Sequence, residues 1–264
     1  MSEPRDDIAA ENRVAWDAQV EKGNEWTLPL SAEALEQARA GRPQVVLTPN
    51  RPVPQEWLGT LAGASVLGLA SAGGQQCVAF AAAGAQVTSL DNSPGQLARD
   101  REGAEAAGVE IRTELGDMRD LSRFSDASFD LVFCPVSVVF VPKVRPVWKE
   151  VARVLKPGGH FLAGLANPLV YAFGLDIPKE GPLELQYPVP YSDLEHLSVE
   201  QLERQRAAQE PVVFGHTLED LIGGQIDAGL VVDGFFEDDV GTDADEAPLA
   251  RYFKGYFATR ARKV

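Results

Sequence analysis

The sequence predicts an α/β fold in which helices cover both faces of a seven-stranded, mostly parallel sheet with an antiparallel terminal strand. Three observations predict it. The chain has 264 residues, 45% of them apolar, which is enough for one large core. From Ala64 onward, short β-rich runs alternate with helical stretches, as in βαβ units. The run 129–133 is nearly all apolar, which is typical of a central strand buried on both faces.

The residues ahead of the alternating region predict a helical cap over 1–62. A first helix is expected from 8 to about 20, and Ser31 is a good cap for a second helix ending before Gly41. The proline-rich run 43–54 predicts an extended connector. The main domain is therefore expected over 63–264.

Strand and helix signals then follow one another through this domain. Ser93 can cap a helix, Pro94 suits its first turn, and Gln96 stands at the capping-box position. Helices are also expected over 75–83 and 144–155, with a turn over 156–159. The predicted strands are 65–69, 86–90, 109–115, 129–133, 160–165, 230–236 and 252–260.

The segment 167–215 breaks this rhythm, because it is rich in proline and tyrosine and contains a capped helix signal at Ser198. We interpret it as an inserted lid over the substrate. A helix is expected over 217–228, and the last two strands should pair antiparallel with no helix between them. The run 233–246 has seven acids and no base, which predicts a solvated loop.

The charge and the cysteine content of the chain limit which partners, locations and metal sites are expected. A net charge of -15 repels phosphate backbones and anionic lipid, so nucleic acid and membrane partners are not expected. No apolar stretch reaches membrane-helix length and residues 1–10 do not form a signal peptide, so a cytoplasmic location is expected. Cys77 and Cys134 are expected as buried thiols, and no cysteine or histidine spacing predicts a metal site.

Short motifs follow the strands in a fixed order. Strand one runs into a glycine-containing loop over 69–74, strand two ends in Asp91, and Gly116-Asp117-Met118 follows strand three. With the runs 128–132 and 153–159 and the terminal hairpin, this order resembles the class I S-adenosyl-L-methionine (SAM)-dependent methyltransferases, over about 63–259. The runs 135–137 and 215–220 are similar to a mostly uncharacterised bacterial group, the type 11-like methyltransferases.

The resemblance implies a Rossmann-like sheet, SAM as cofactor and S-adenosylhomocysteine (SAH) as product. It places the ribose at Asp91 and adenine at Asp117 and Met118. This chain departs from the family pattern in this loop. The family has an acid at the position of Gly68, and it has glycines at the positions of Ala70 and Ala72. The cofactor-binding residues that the resemblance implies are Ala70, Ser71, Gly73, Gln75, Gln76, Asp91, Asn92, Gln96, Gly116, Asp117, Met118, Cys134 and Pro135.

Candidates for the substrate pocket are drawn from the cap and the insertion: Trp26, Val139, Tyr171, Tyr191 and His216. His216 is the one candidate catalytic residue, as a general base or substrate ligand, and the alternative is a polar side chain near a helix cap. Tyr171, Tyr187 and Tyr191 either line the acceptor pocket or pack against one another inside the insertion. Trp16 is expected in the core. The Pro-Pro-aromatic motif of adenine-N6 methyltransferases is absent, which argues against a nucleic-acid substrate.

Three functions remain open from the sequence. The first is a methyltransferase (EC 2.1.1.-) acting on an O, N or C atom of a small molecule, mainly through proximity and orientation. The second is a nicotinamide-dependent oxidoreductase, because residues 68–73 also match a loosened dinucleotide fingerprint. The third is a non-methylating binding protein with the same fold. A monomer or homodimer is expected.

Overall fold

The computed structural model describes residues 5–174, 183–241 and 248–264. Nine strands occur in these ranges: β1 Ser65–Leu69, β2 Gln86–Asp91, β3 Ile111–Leu115, β4 Phe129–Cys134, β5 Leu155–Ala166, β6 Tyr191–Ser192, β7 Phe214–Gly215, β8 Leu230–Asp238 and β9 Tyr256–Lys263. Seven form one sheet in the order β3-β2-β1-β4-β5-β9-β8. Strands β1 to β5 are parallel, and β9 runs antiparallel to both of its neighbours. The α/β prediction, including the antiparallel terminal strand, is confirmed.

The strand order reverses between β1 and β4, which lie side by side although two strands separate them along the chain. In open α/β sheets ligands bind beyond the carboxyl ends of the strands at such a reversal. The described helices are α1 Arg5–Glu21, α2 Ala32–Arg39, α3 Gln55–Leu58, α4 Gln76–Ala82, α5 Pro94–Ala107, α6 Arg145–Val154, α7 Leu169–Ala172, α8 Asp193–His196, α9 Val199–Ala207 and α10 Gly224–Asp227. None of them combines the length and apolarity needed to cross a membrane.

The sheet separates two apolar clusters because alternate side chains of a strand point to opposite faces. In β1, Val66 packs with α2 and α4, whereas Leu67 and Leu69 pack on the other face. That second face is covered by α6, whose Trp148 is fully buried and donates its indole N–H to the Asp220 carbonyl at 2.8 Å. Both layers therefore hold the central strands rigid beneath their carboxyl ends.

Helix α1 is fixed across those carboxyl ends by side chains that reach three distant segments. Asp17 Oδ1 accepts hydrogen bonds from the Ser93 hydroxyl at 2.5 Å and from the Gly95 N–H at 2.9 Å. The Asp17 carboxylate thus contributes to the N-terminal cap of α5. Asn12 Nδ2 donates to the carbonyls of Phe140 and Val212, both at 3.1 Å, and its oxygen accepts the Val212 N–H. Helix α1 thus covers the carboxyl ends of the strands, and we refer to it as the roof of the sheet.

The described part of the 167–215 insertion is held by one buried carboxylate. Asp193 is fully buried and accepts the Tyr191 hydroxyl, the Gln205 amide and the Val213 N–H, each at 2.8 Å. Strands β6 and β7 pair antiparallel beside it. The Ser198 capping box of α9 is present as expected. Residues 175–182 of the expected lid lie outside the described residues.

Several boundaries differ from the predictions. Strand β8 extends to Asp238, which is buried and accepts the N–H groups of Asn50 and Arg51, so the start of the acidic run is strand rather than solvated loop. The end of that run, 242–247, lies outside the described residues. A short 3-10 helix, Pro248–Arg251, stands between the last strands, where no helix was expected.

Three further elements differ in local detail from the predictions, although a helix does occupy 218–227 as expected. The turn expected over 156–159 is the irregular start of β5, where the register with β4 shifts. The helix expected over 217–228 begins as a π-helix, Glu219–Gly223, before α10. Gln96 does not complete a capping box, because the Ser93 N–H donates to Asp91 instead.

Candidate functional site

A cavity of about 230 Å³ lies at the carboxyl ends of β1 to β4, beneath α1. Its floor is made by the loops that follow these four strands, and its other walls come from α1, the segment 46–49 and the start of β9. The lining residues are Ala9, Asn12, Trp16, Trp26, Val46, Leu47, Thr48, Pro49, Ala70, Ser71, Ala72, Gln75, Gln76, Leu90, Asp91, Asn92, Gln96, Gly116, Asp117, Met118, Arg119, Pro135, Val136, Ser137, Phe140, Val141 and Tyr256. The loop residues predicted as cofactor ligands therefore come together, apart from Gly73 and Cys134.

The loop after β1 adopts the backbone conformation that glycine favours, although it carries alanines. Ala70 has φ 46° and Ala72 has φ 60°, both in the left-handed region. Gly73 has a different role, because a Cβ there would lie 2.2 Å from the Gln96 carbonyl oxygen. Gly73 thus allows the loop to pack on α5 and supports the cavity without lining it.

We expect Ala70→Gly and Ala72→Gly each to raise the free energy of unfolding by about 0.5–1 kcal/mol. Each substitution removes the steric penalty of a left-handed alanine, which exceeds the extra chain entropy of glycine. Urea unfolding of the ligand-free protein measures the effect. Ala82→Gly, inside α4, is the matched control and should lower stability. A loss of stability in both loop variants would show that these alanines are not strained.

Gly68 stands where the similar family has an acid, and the structure shows what fills that space. A Cβ at Gly68 would lie 2.3 Å from Cys77 Sγ and 2.8 Å from Ser71 Oγ. These two atoms are 3.2 Å apart and both side chains are buried. Burial, with the nearby Asp100 carboxylate, raises the pKa of the Cys77 thiol, so it stays protonated. A neutral Ser71–Cys77 pair therefore replaces the acid.

Asp91 closes β2 and lines the cavity as the sequence predicted. Burial raises its pKa to about 7, and the carboxylates of Asp100 and Asp17 add to the shift. The N–H groups of Ser93 and Asn92 oppose it, the former donating to Oδ1 at 2.8 Å. Asp91 is thus a carboxyl group that changes protonation near neutral pH and still has lone pairs free for a ligand.

The neighbouring polar candidates differ in what they can offer. The Asn92 amide donates to the Ala9 carbonyl at 2.5 Å, and its oxygen accepts from Arg13, so Asn92 holds α1. Gln96 is 2% exposed, and its Oε1 has no hydrogen-bond partner among the described residues. Since buried polar atoms are normally paired, the Gln96 oxygen is suited to accept from a ligand.

Asp117 follows β3 in a turn that already carries a counter-ion. Arg119 Nε lies 3.0 Å from both Asp117 oxygens, and the Arg119 N–H donates to Oδ1 at 2.8 Å. Both residues line the cavity next to Met118. The sequence identified Asp117 but missed Arg119, which neutralises its charge at this end of the cavity.

Cys134 is fully buried at the end of β4, with its Sγ 3.4 Å from Ser137 Oγ, so it faces the protein rather than the cavity. Pro135 does line the cavity. Burial raises the pKa of the Cys134 thiol to about 12. The cofactor contact expected at Cys134 is therefore not supported by its position.

Of the five predicted substrate residues, only Trp26 lines the cavity. Val139, Tyr171 and Tyr191 form a buried cluster behind the lining residues Phe140 and Tyr256. The Tyr171 and Tyr191 rings stack with centroids 5.3 Å apart, so these tyrosines pack the insertion.

His216 is also outside the cavity lining. Its Nε2 lies 3.0 Å from the Val138 carbonyl, and a carbonyl only accepts, so Nε2 carries the proton. Burial lowers the His216 pKa, which keeps the ring neutral. The role it fills is bracing the turn before Phe140, and the expectation of a general base at the cavity is not supported by its position.

Sequence reasoning missed the lining residues that tertiary folding brings in from the two ends of the chain. Asn12 and Trp16 reach the cavity from α1, and the Trp16 ring meets Phe140 edge-on at 5.2 Å, so Trp16 is not simply a core residue. The segment 46–49 and Tyr256 form another wall. The helical spacing of Asn12 and Trp16 was an available signal, since i and i+4 share a face. No cluster of three potential metal ligands occurs in the described ranges.

Comparisons with known proteins bear on the family and the fold of the chain. The model of the family described as "Methyltransferase domain" matches residues 67–163. The chain is 46% identical over 257 residues to the Bacillus subtilis protein named uncharacterized methyltransferase YbaJ, covering 97% of this chain and 99% of that one. It is 33% identical over 141 residues to a ubiquinone biosynthesis O-methyltransferase of Xanthomonas euvesicatoria, spanning 59% of that relative.

Solved structures share the fold at low sequence identity. An S-adenosylmethionine dependent methyltransferase from Mesorhizobium loti is 22% identical with a TM-score of 0.59, covering 79% of this chain and 95% of that chain. A geranyl diphosphate C-methyltransferase from Streptomyces coelicolor A3(2), solved with S-adenosyl-L-homocysteine, is 17% identical with a TM-score of 0.55, covering 79% and 76%. The sequence-based resemblance is confirmed.

Proposed function

The chain belongs to the SAM-dependent methyltransferases, and on that premise we propose that it methylates an uncharged, largely apolar small molecule. One observation carries the proposal. Among the described lining residues, the charged side chains are Asp91, Asp117 and Arg119, which all stand at the ends of β2 and β3, and none comes from the loop after β4, from 46–49 or from β9. We assign the acceptor to the half of the cavity beyond β4, the acceptor half, whose lining residues are Trp16, Trp26, Leu47, Pro49, Val136, Ser137, Phe140, Val141 and Tyr256.

The residues at the other half fit the cofactor. Adenine and ribose are proposed at the ends of β3 and β2, near Met118 and Asp91. In the sheet, β1 and β4 follow β3 and β2 in the order β3-β2-β1-β4. We therefore propose that the rest of the cofactor would lie against the Ala70–Ala72 loop after β1 and extend toward β4. The unpartnered Gln96 oxygen and the Asp91 carboxylate supply acceptors for ligand donors. Ser71, Gln75, Gln76, Gly116 and Pro135 complete the proposed contacts.

When bound, SAM supplies a methyl group already activated on a sulfonium. The chain's own contribution is to hold an acceptor beside it under α1 and to exclude water. Such orientation is worth several kcal/mol, on the order of 7–11 at best. Among the described residues of the acceptor half, Tyr256 is the only titratable side chain, and burial raises its pKa. We therefore propose that the acceptor's own ionisation, rather than a protein base, sets its nucleophilicity.

Calorimetric titration of the SAH-saturated protein tests the acceptor class. We expect 2-naphthol to bind at least about tenfold more tightly than 3-hydroxy-2-naphthoic acid, because burying the extra carboxylate in an uncharged pocket is unfavourable. Trp16→Ala should remove most naphthol binding. Val14→Ala is the matched control, because Val14 lies on the same helix and is 62% exposed. Tighter binding of the acid would refute the proposal.

The two cysteines of the chain are unpaired and buried, which supports the proposed reducing, cytoplasmic location. The bacterial relative agrees with a bacterial source. A monomer or homodimer remains our prediction.

A further inference from the structure

We infer that the Thr48 hydroxyl binds the amino-acid end of the cofactor and compensates for the acid that Gly68 replaces. Thr48 is 2% exposed and lines the cavity, yet its Oγ1 has no hydrogen-bond partner among the described residues. A buried hydroxyl without a partner costs stability, so a ligand is the expected partner. The inference deepens the proposed function, because it assigns a contact within the same site.

The backbone around Thr48 is fixed on both sides. The Val46 N–H donates to Gln76 Oε1 at 3.1 Å, and the Val136 N–H donates to the Leu47 carbonyl at 3.1 Å. Beyond Thr48, the N–H groups of Asn50 and Arg51 donate to Asp238 at 2.8 and 3.0 Å. The hydroxyl is therefore carried by a segment that hydrogen bonds hold in place on both sides of Thr48.

The same bonds fix the segment before Thr48 between the loop after β4 and the first turn of α4. Leu47 is joined to the loop after β4, and Val46 is joined to Gln76 in the first turn of α4, which follows β1. With adenine and ribose proposed at β3 and β2, the amino-acid end is the part that reaches β1 and β4. Gln76 uses its oxygen on Val46, which leaves its NH2 group as a donor for a carboxylate. Thr48 can donate to that carboxylate or accept from the ammonium.

Two ligands that differ only at this end test the inference. SAH carries the amino-acid group, and 5′-methylthioadenosine lacks it. We expect Thr48→Val to weaken SAH binding about tenfold in calorimetric titration, while methylthioadenosine binding changes less than about twofold. Thr48→Ser, which keeps the hydroxyl, should restore SAH affinity. Unfolding stability should be unchanged or raised in Thr48→Val, because no protein hydrogen bond is lost.

Thr259→Val is the matched control, since Thr259 is also buried but its hydroxyl donates to Gln225 at 3.2 Å. It should lower stability and leave the ratio of the two affinities unchanged. An equal loss for both ligands in Thr48→Val, or a loss for neither, would overturn the inference and leave the proposed function standing. Failure of the wild-type protein to bind either ligand would instead refute the proposed cofactor site itself.

Discussion

Asp91→Asn is expected to reduce SAH affinity at least about 100-fold at pH 8 while stabilising the ligand-free protein. An ionised carboxylate can accept both ribose hydroxyls, whereas the amide offers one acceptor oxygen. The raised pKa means that ionised Asp91 destabilises the ligand-free fold. The difference between about 7 and 3.8 sets an upper limit of about 4 kcal/mol. We expect a gain of about 1–2 kcal/mol at pH 8.

The pH dependence of this stabilisation follows from the linkage between proton binding and folding. A carboxyl group whose pKa is raised in the folded state binds protons more readily when folded than when unfolded. Its unfavourable contribution is therefore absent below about pH 4 and complete above about pH 7. Urea unfolding of wild type and Asp91→Asn at pH 5 and pH 8 measures this: the advantage of the variant should be larger at pH 8.

The same group makes cofactor binding pH-dependent. Because the ribose is proposed to bind the ionised form, SAH affinity should fall about tenfold per pH unit below pH 7, as Asp91 takes up a proton. Asp91→Asn should lose this dependence. Wild-type affinity that stays constant from pH 8 to pH 5.5 would contradict the assigned role.

Gly68→Asp, which restores the family's acid, is expected to destabilise the protein by at least about 3 kcal/mol. The new Cβ would lie 2.3 Å from Cys77 Sγ, in a cluster where the Cys77 side chain is fully buried. The carboxylate would also be desolvated near Asp91 and Asp100, which already raise the pKa of Cys77. The substitution that would restore the family pattern is thus expected to be among the most destabilising.

Two companion variants separate the causes. Gly68→Ala introduces only the steric conflict, which should cost about 1–3 kcal/mol. Adding Cys77→Ala removes the sulfur atom, so the double variant Gly68→Asp/Cys77→Ala should be more stable than Gly68→Asp alone. Chemical unfolding of wild type, Gly68→Asp, Cys77→Ala and the double variant gives the coupling energy between positions 68 and 77. A Gly68→Asp protein as stable as wild type, with tighter SAH binding, would show that Ser71 and Cys77 do not occupy the acid's place.

The strands and the ligand-bearing loops could be predicted from sequence because their signals are local. The runs 65–69 and 129–133 are apolar enough to be recognised as strands, the second as a central one, and Asp91 stands at a strand end whatever the packing. The helix N-caps at Ser31, Ser93 and Ser198 could likewise be predicted from the sequence.

What failed depends on contacts between distant residues. Asp238 was expected in solvent, but it is buried because Asn50 and Arg51 offer it backbone N–H groups from 188 and 187 residues away. His216 and Tyr191 have the residue types of an active site, and only tertiary packing shows them bracing the cavity wall. Thr48 lay in a run expected merely as a connector, and nothing in its local sequence distinguishes it.

The roof formed by α1 also has a consequence for biosynthesis. Asn12 is synthesised 200 residues before its partner Val212. At about 5–20 residues per second, α1 waits at least several seconds for that anchor to leave the ribosome. Contacts of such sequence separation form slowly. A nascent chain interrupted before Val212 therefore holds α1 only through its contacts with residues 92–95 and Phe140, and it lacks the last of the anchors that keep α1 over the cavity.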